Sequence, residues 1–136
     1  MTVQNTTVGV SGSTSDIELC IDGGIFEAGN KAVPNGVGER GDSECQRAES
    51  DVLGGGDVVC HSADMSKPNN ILRMIEAANK RFGSADFVVE STGVQKVELV
   101  EDFPLERWDL IVAINRNSPF QTWRATLPDN GGWTAA

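Results

Sequence analysis

Residues 7–15 read Thr-Val-Gly-Val-Ser-Gly-Ser-Thr-Ser, a short apolar run that ends in a turn of small residues. This pattern predicts a buried β-strand that leads into a tight turn. Ile17, Ile21 and Ile25 follow at steps of four, which is the spacing of one face of an α-helix. The stretch therefore predicts a strand, a turn and a helix in that order, the arrangement from which parallel sheets are built.

The rest of the chain repeats this alternation three more times. Further strands are predicted at residues 31–33, which Pro34 cuts short, at 58–60 and at 87–89. Helices are predicted at residues 42–53, at 66–82 with Ser66 as the cap, and at 104–127 with a kink at Pro119. Short strands that alternate with helices of this length indicate an α/β fold with a parallel sheet. We expect the strand order 3-2-1-4.

Length and charge restrict the class of protein. The chain has 136 residues, which is the size of one domain, so residues 1–136 are expected to form a single unit. Acidic residues outnumber basic ones 20 to 11, and the net charge of −9 argues against nucleic acid and membrane surfaces as partners. No apolar run is long enough to span a membrane, and residues 1–7 lack the basic start of a signal peptide. We therefore expect a cytoplasmic protein.

The cysteines and the histidine do not suggest a metal site. Cys20, Cys45 and Cys60 lie far apart, which fits neither a zinc knuckle nor a disulfide framework, so we expect them to be small buried hydrophobic residues. His61 is the one histidine in the chain, and since a catalytic or metal role would need partners close to it in sequence or space, we expect a solvent-facing or satisfied structural histidine instead. Ligands of parallel sheets bind beyond the carboxyl ends of the strands. The turns that leave the predicted strands at that end are residues 11–16, 35–38, 62–65 and 90–95.

Seven short motifs occur in order along the chain. They are residues 12–15 (Gly-Ser-Thr-Ser), 35–38 (Asn-Gly-Val-Gly), 63–67 (Ala-Asp-Met-Ser-Lys), 93–95 (Gly-Val-Gln), 101–104 (Glu-Asp-Phe-Pro), 106–109 (Glu-Arg-Trp-Asp) and 113–115 (Ala-Ile-Asn). Over about residues 6–130, the chain thereby resembles the first half of a short-chain dehydrogenase/reductase. Within that family it is most similar to the bacterial-type 3-hydroxybutyrate dehydrogenases. The resemblance implies an incomplete, doubly wound, Rossmann-like sheet of about four strands that binds NAD.

The resemblance also implies roles for individual residues. Those expected at the cofactor are Gly12, Thr14, Ser15 and Ile17 at the pyrophosphate and ribose, Val37 at the adenosine ribose, Asp64 and Met65 at the adenine, and Gly93 at the nicotinamide-side ribose. Gln95 matches a position that contacts the substrate carboxylate. Asn115 matches the helix asparagine that supports the catalytic proton relay.

The chain departs from the family pattern at the first turn. Asp16 and Glu18 stand where the family has its second and third glycines, and Glu90 adds a third negative charge near the expected ligand. A carboxylate about 5 Å from a phosphate costs on the order of 1–3 kcal/mol at effective dielectric constants of about 20 to 80. We therefore expect NAD binding to be weak or lost. The alternative is that Asp16 and Glu18 cap the helix that follows.

Three hypotheses about function remain. The family's chemistry depends on a serine and a Tyr-x-x-x-Lys pair in its second half, whereas this chain contains no tyrosine and stops before that region. The first hypothesis is a truncated, degenerate dehydrogenase relative that keeps part of the NAD site and is inactive alone. The second is a non-catalytic module that self-associates or pairs with a full-length dehydrogenase subunit, because an uncovered sheet edge favours association. The third is a remnant reading frame without a function.

Overall fold

The computed structural model of the protein describes residues 7–11, 24, 29–36, 57–83 and 86–127. Its strands are β1 (Thr7–Ser11), β2 (Lys31–Asn35) and β3 (Phe87–Glu90). Its α-helices are α1 (Pro68–Phe82), α2 (Leu105–Val112) and α3 (Ser118–Thr126), with a 3₁₀ turn at Val100–Asp102 and a π-helical turn at Ala113–Asn117. The predicted helix at 42–53 lies outside the described residues, as does the helix that begins near Ile17 except for Gly24, which is helical.

The three strands form a parallel sheet in the order β2-β1-β3. Residues 57–61 continue this order on the outer side of β2, where they form isolated parallel bridges rather than a regular strand. The Ala32 N–H donates to the Asp57 carbonyl at 2.9 Å, and the His61 N–H donates to the Pro34 carbonyl at 3.1 Å. The predicted α/β class and the predicted order 3-2-1-4 are therefore confirmed, with the third strand reduced to bridges.

Strand β2 is longer than the sequence suggests. The prediction that Pro34 ends it is wrong, because β2 continues through Pro34, which pairs with Val10, to Asn35, which pairs with Ser11. A proline lacks an N–H but keeps its carbonyl, and the Pro34 carbonyl is the group that accepts the hydrogen bond from His61. The strand can therefore contain this proline without losing that bond.

Helix α1 supplies four of the nine buried hydrophobic residues that the structure describes. Its buried residues Ile71, Met74, Ile75 and Ala78 follow helical spacing and pack with Val33, Ala63 and Met65. The helix begins at Pro68, where the missing N–H costs nothing because the first turn has no intrahelical acceptor for it. The expectation that Ser66 caps this helix is wrong, since Lys67 is the N-cap residue and, among the described residues, no side chain makes a capping hydrogen bond.

The predicted helix at 104–127 is present but divided. Its regular part stops at Val112, and the Ser118 N–H donates five residues back, to the Ala113 carbonyl. Pro119 follows directly in the first turn of α3, so the expected irregularity at Pro119 takes the form of a π-helical turn. Thr122 and Thr126 on α3 are buried, and their hydroxyls donate to the carbonyls one turn earlier at 3.0 and 2.9 Å.

The structure corrects one of the cysteine expectations. Cys60 is half-buried and forms a disulfide bond, whose partner lies outside the described residues. The expectation of a small buried hydrophobic residue is therefore wrong for Cys60, because spacing along the chain does not report which cysteines meet in space. Among the helices that the structure describes, none is long and apolar enough to cross a membrane. A cytoplasmic location stays a prediction.

Candidate functional site

The three strands end level with one another at the carboxyl edge of the sheet. Ser11 of β1 pairs with Asn35 of β2 on one side and with Glu90 of β3 on the other. The segments that follow β2 and β3 leave from this edge, and the bridge at His61 brings residues 62–65 to the same place. The described parts of the predicted turns therefore meet along one edge, where parallel sheets bind their ligands.

Asn35 connects two of these segments. Its side chain is 1% exposed, and its amide Nδ2 donates to the Ala63 carbonyl at 3.2 Å while its Oδ1 accepts from the Ala63 N–H at 2.7 Å. One amide thus satisfies both backbone groups of Ala63, as a neighbouring strand would. Sequence reasoning gave Asn35 no separate role, although a polar residue at the last position of a buried strand was the available signal.

Asp64 follows directly and presents a carboxylate. Its Oδ1 accepts from the Ser66 hydroxyl at 2.6 Å and from the Ser66 N–H at 3.0 Å, and the Lys67 ammonium lies 3.4 Å from its Oδ2. The bond from the Ser66 hydroxyl, with those from the Ser66 N–H and Lys67, holds the pKa of Asp64 below its usual value despite partial burial. The side chain is 37% exposed, so an ionised acceptor remains accessible at this edge.

Two residues close to Asp64 in the sequence, Met65 and His61, carry no charge at this edge at pH 7. The Met65 side chain is buried in the core cluster, so it is not open to a ligand. Partial burial lowers the pKa of His61, which favours the neutral imidazole at pH 7. Within the ranges that the structure describes, no cluster of three metal-binding side chains occurs.

Two of the predicted site residues, Gly93 and Asn115, come together beyond β3. Asn115 lies in the π-helical turn, and its side-chain amide accepts from the Val94 N–H and donates to the Val94 carbonyl, both at 2.9 Å. Gly93 precedes Val94, and a Cβ added to it would lie 3.9 Å from Asn115 Oδ1, an ordinary contact. The protein itself therefore leaves room for a side chain at Gly93. Gln95 follows Val94 and is exposed.

The first turn lies outside the described residues. Its predicted cofactor residues are Gly12, Thr14, Ser15 and Ile17, with Val37 after β2 and the acidic pair Asp16 and Glu18. Glu90 is described and half-buried, its backbone is level with Ser11 in the sheet register, and its Oε1 is buried. The sheet order puts Asp64 and Gly93 on opposite sides of β1. An elongated ligand that reached both would cross the end of β1.

Known proteins resemble this chain over most of its length. A family model described as short chain dehydrogenase matches residues 7–132. The chain is 42% identical over 129 residues to a D-beta-hydroxybutyrate dehydrogenase from Rhizobium meliloti, covering 93% of this chain and 50% of that protein. It is 44% identical over 120 residues to one from Cupriavidus necator, covering 88% and 45%. The chain thus spans about half the length of these relatives.

Solved structures show the same fold at lower identity. A short-chain dehydrogenase/reductase variant from Serratia marcescens superimposes with a TM-score of 0.88 at 21% identity, covering 95% of this chain and 52% of that one. The L-sorbose reductase of Gluconobacter frateurii, solved with NADPH and L-sorbose, gives a TM-score of 0.83 at 20% identity, covering 96% and 50%. At such identities the likeness shows the fold, and these matches confirm the Rossmann-like class.

Proposed function

Because the chain belongs to the short-chain dehydrogenase family, we propose that residues 1–136 form one Rossmann-like domain that binds NAD weakly across the carboxyl edge of its sheet. The observation that carries the proposal is the level ending of the three strands, with Asp64 and Gly93 on either side of β1. A dinucleotide has the elongated shape that such an edge accommodates.

The two ends of the edge suit the two ends of NAD. Beside β2, the ionised Asp64 carboxylate is an acceptor for the exocyclic amino group of adenine, and the Met65 backbone lies next to it. Beside β3, Gly93 exposes backbone against which a ribose can pack. Between these two ends, we expect the predicted residues of the first turn, among them Gly12 and Thr14, to contact the pyrophosphate.

A negative charge in the middle of this edge opposes the binding of NAD. Glu90 is level with Ser11, next to the place where the pyrophosphate would cross β1. Like charges at such distances repel by on the order of 1 kcal/mol or more when they are partly desolvated. The proposed affinity is therefore weak, with a dissociation constant in the upper micromolar range, which corresponds to about 5 kcal/mol of binding.

For the reaction, a bound nicotinamide would supply the hydride acceptor, and this chain would contribute positioning groups. Gln95 is exposed beyond β3, where its amide could donate to the carboxylate of a 3-hydroxy acid such as the relatives' names indicate. Asn115 holds Val94, and with it the loop that carries Gln95. We propose that the chain alone is not an active dehydrogenase, because it contains no tyrosine to move the alcohol proton.

A titration with NADH tests the proposal. The chain has three tryptophans, so energy transfer to the bound nicotinamide reports binding, with free tryptophan as the correction for absorbed light. We expect saturation with a dissociation constant below about 1 mM, which is more than about 4 kcal/mol. An unsaturated linear response up to several millimolar NADH would mean that the site is lost.

A second proposal, association, rests on a separate observation. The structure's described residues include ten exposed large apolar side chains, and eight of them lie between residues 97 and 127. Val97 is 93% exposed, Val100 89% and Leu105 79%. Exposed apolar surface on this scale marks association sites in soluble proteins. We propose that this surface, residues 97–127, pairs with a second copy of the chain, with a related dehydrogenase subunit as the competing partner.

The charges along this surface favour an antiparallel second copy. Its first part, residues 98–109, carries Glu98, Glu101, Asp102, Glu106 and Asp109 against a single arginine. Its second part, residues 110–127, carries Arg116 and Arg124 and no acidic residue. Two copies that run in opposite directions place the acidic part of each against the basic part of the other.

A further inference from the structure

We infer that Asn35 positions the Ala63–Asp64 segment for the adenosine end of the dinucleotide, and that it does not itself bind the ribose. The inference rests on the proposed function and assigns a positioning residue within that site. It is drawn from the two hydrogen bonds between the Asn35 amide and Ala63, from the burial of that amide, and from the place of Asn35 at the end of β2.

The position of Asn35 makes the inference specific. In dinucleotide-binding sheets, an acidic residue about 20 residues after the glycine-rich turn commonly accepts a hydrogen bond from the adenosine ribose. Asn35 lies 23 residues after Gly12, at the end of the second strand, where such a carboxylate would stand. Here the residue is a neutral amide, and it is 1% exposed, so a ribose at the surface cannot reach it.

The amide acts on the neighbouring segment instead. The last described backbone bond between β2 and this segment runs from the His61 N–H to the Pro34 carbonyl. Two residues after His61, the Asn35 side chain forms hydrogen bonds with both backbone groups of Ala63, as the backbone of a paired strand would. The ladder is thereby extended up to Asp64.

The turn beyond Ala63 depends on that extension. Asp64 closes its own turn, because its carbonyl accepts from the Lys67 N–H at 3.0 Å and its carboxylate accepts from Ser66. These bonds fix the carboxylate relative to its turn, whereas the Asn35 bonds, together with the shared core packing of Ala63, Met65 and Val33, fix the start of that turn relative to β2. If the Asn35 bonds are lost, the Asp64 carboxylate keeps its local partners, but its turn is held at the edge by packing without directional bonds.

The variant Asn35→Asp separates positioning from ribose binding, because the two roles predict changes of opposite sign. An ionised carboxylate still accepts from the Ala63 N–H, but it cannot donate to the Ala63 carbonyl and repels it. Positioning therefore predicts that NADH affinity at pH 7.5 falls at least fivefold. A residue that binds the ribose would gain affinity from the new carboxylate, and tighter NADH binding by the variant would overturn the inference.

Two controls exclude a general effect of charge or folding. Asn69→Asp makes the same change at an exposed position on α1 and is expected to leave NADH affinity within twofold of the wild type. Reduced nicotinamide mononucleotide lacks the adenosine half, so its affinity should be the same in Asn35→Asp and in the wild type. An equal loss of affinity for both ligands would show a structural role only and would overturn the inference.

Lowering the pH should restore the ligand affinity of the Asn35→Asp variant. Burial raises the pKa of the new carboxyl, and its protonated form can both donate to the Ala63 carbonyl and accept from the Ala63 N–H. The affinity of Asn35→Asp for ADP-ribose, which is stable in acid, should approach that of the wild type between pH 7.5 and 5. The wild type is titrated in parallel, because His61, Asp64 and Lys67 are charged or titratable neighbours in the described part of the chain. A constant affinity ratio across this range would contradict the inference.

Amide hydrogen exchange tests the hydrogen bonds without a ligand. The Ala63 N–H should exchange at least tenfold faster in Asn35→Ala than in the wild type, while the His61 N–H, bonded to Pro34, keeps its rate. Unchanged exchange at Ala63 would overturn the inference even if NADH binds. If the wild type fails to bind NADH, the proposed function fails, and the role of Asn35 in it fails for that reason, while the exchange data still report on the hydrogen bonds.

Discussion

Glu90 is the described residue whose charge most directly opposes the proposed ligand. It stands level with Ser11 at the end of β3, beside the edge that a pyrophosphate would cross. Glu90→Gln keeps the size of the side chain and removes the charge, so we expect NADH affinity to rise about threefold to tenfold, or about 0.7–1.4 kcal/mol. The tryptophan fluorescence titration measures this change. The gain should shrink at high salt, because screening weakens the repulsion that the substitution removes.

A matched substitution checks that the gain is local. Glu98→Gln removes one charge from an exposed side chain whose carboxylate lies 3.7 Å from the Lys96 ammonium. It leaves the sheet edge unchanged, so its NADH affinity should stay within about 1.5-fold of the wild type. Equal gains in the two variants would mean that net charge alone, rather than the position of Glu90, governs the affinity.

The free energy of unfolding should depend on pH through Asp64, and the direction of its pKa shift sets the sign. Its pKa is held below the usual value, chiefly by the Ser66 hydroxyl, so the folded state binds its proton less readily than the unfolded state does. The stabilisation is therefore present above the unfolded pKa of about 4 and is lost as the pH falls through the folded pKa. Urea unfolding of the wild type and Asp64→Asn should differ by about 0.5–1 kcal/mol at pH 7, and the difference should shrink below pH 4. A difference that grew on acidification would contradict this assignment.

For single residues, the sequence supports a prediction only where a motif carries it. Asp64, Gly93 and Asn115 each stand in a short motif that resembles a family pattern, and their roles at a cofactor stay predictions. The pairing of Asn35 with Ala63 could not be predicted, because its two members are 28 residues apart and only the fold brings them together. The disulfide of Cys60 was missed for the same reason.

Helix α1 is the element that the sequence predicted best, and its core face provides a stability test. Ile71 is 1% exposed within the core cluster, so Ile71→Ala should lower the free energy of unfolding by about 2–5 kcal/mol, from lost burial and the cavity left behind. Leu72 is the next residue and is 47% exposed, and Leu72→Ala should cost less than about 1 kcal/mol. Urea denaturation followed by circular dichroism measures both. Equal losses would mean that α1 does not pack as described.

Proline explains why other elements were harder to predict. Pro34 and Pro119 both lack an N–H, and the sequence suggested that each interrupts its element. In β2 the missing donor removes the bond to Val59 that would join the two outer bridges, but the pairing with β1 does not use it, so the strand continues. Before Pro119 the helix changes its hydrogen-bond pattern and inserts a π-helical turn, which is also where Asn115 lies. Which of these outcomes a proline produces depends on neighbouring segments, and local sequence does not specify them.

At the scale of the molecule, the exposed apolar surface at residues 97–127 predicts concentration-dependent association. If two copies pair there in opposite directions, analytical ultracentrifugation should show dimers at micromolar concentrations. Leu105 is 79% exposed at the start of α2, so Leu105→Glu should shift the equilibrium toward monomer at least tenfold by placing a charge in an apolar contact. Leu72→Glu introduces the same charge at an exposed residue of α1, outside residues 97–127, and should leave the equilibrium unchanged.

Salt distinguishes the antiparallel arrangement from apolar contact alone. Pairing of the acidic residues 98–109 with Arg116 and Arg124 of a second copy weakens as ionic strength rises, whereas burial of Val97, Val100 and Leu105 does not. We therefore expect the dimer to dissociate more readily between about 0.05 and 0.5 M salt, where the screening length falls severalfold. A dimer that strengthened with salt would point to apolar contact without charge pairing.

A wild-type chain that stayed monomeric throughout, yet was retained by an immobilised full-length short-chain dehydrogenase, would show that this surface fits a related subunit rather than a second copy.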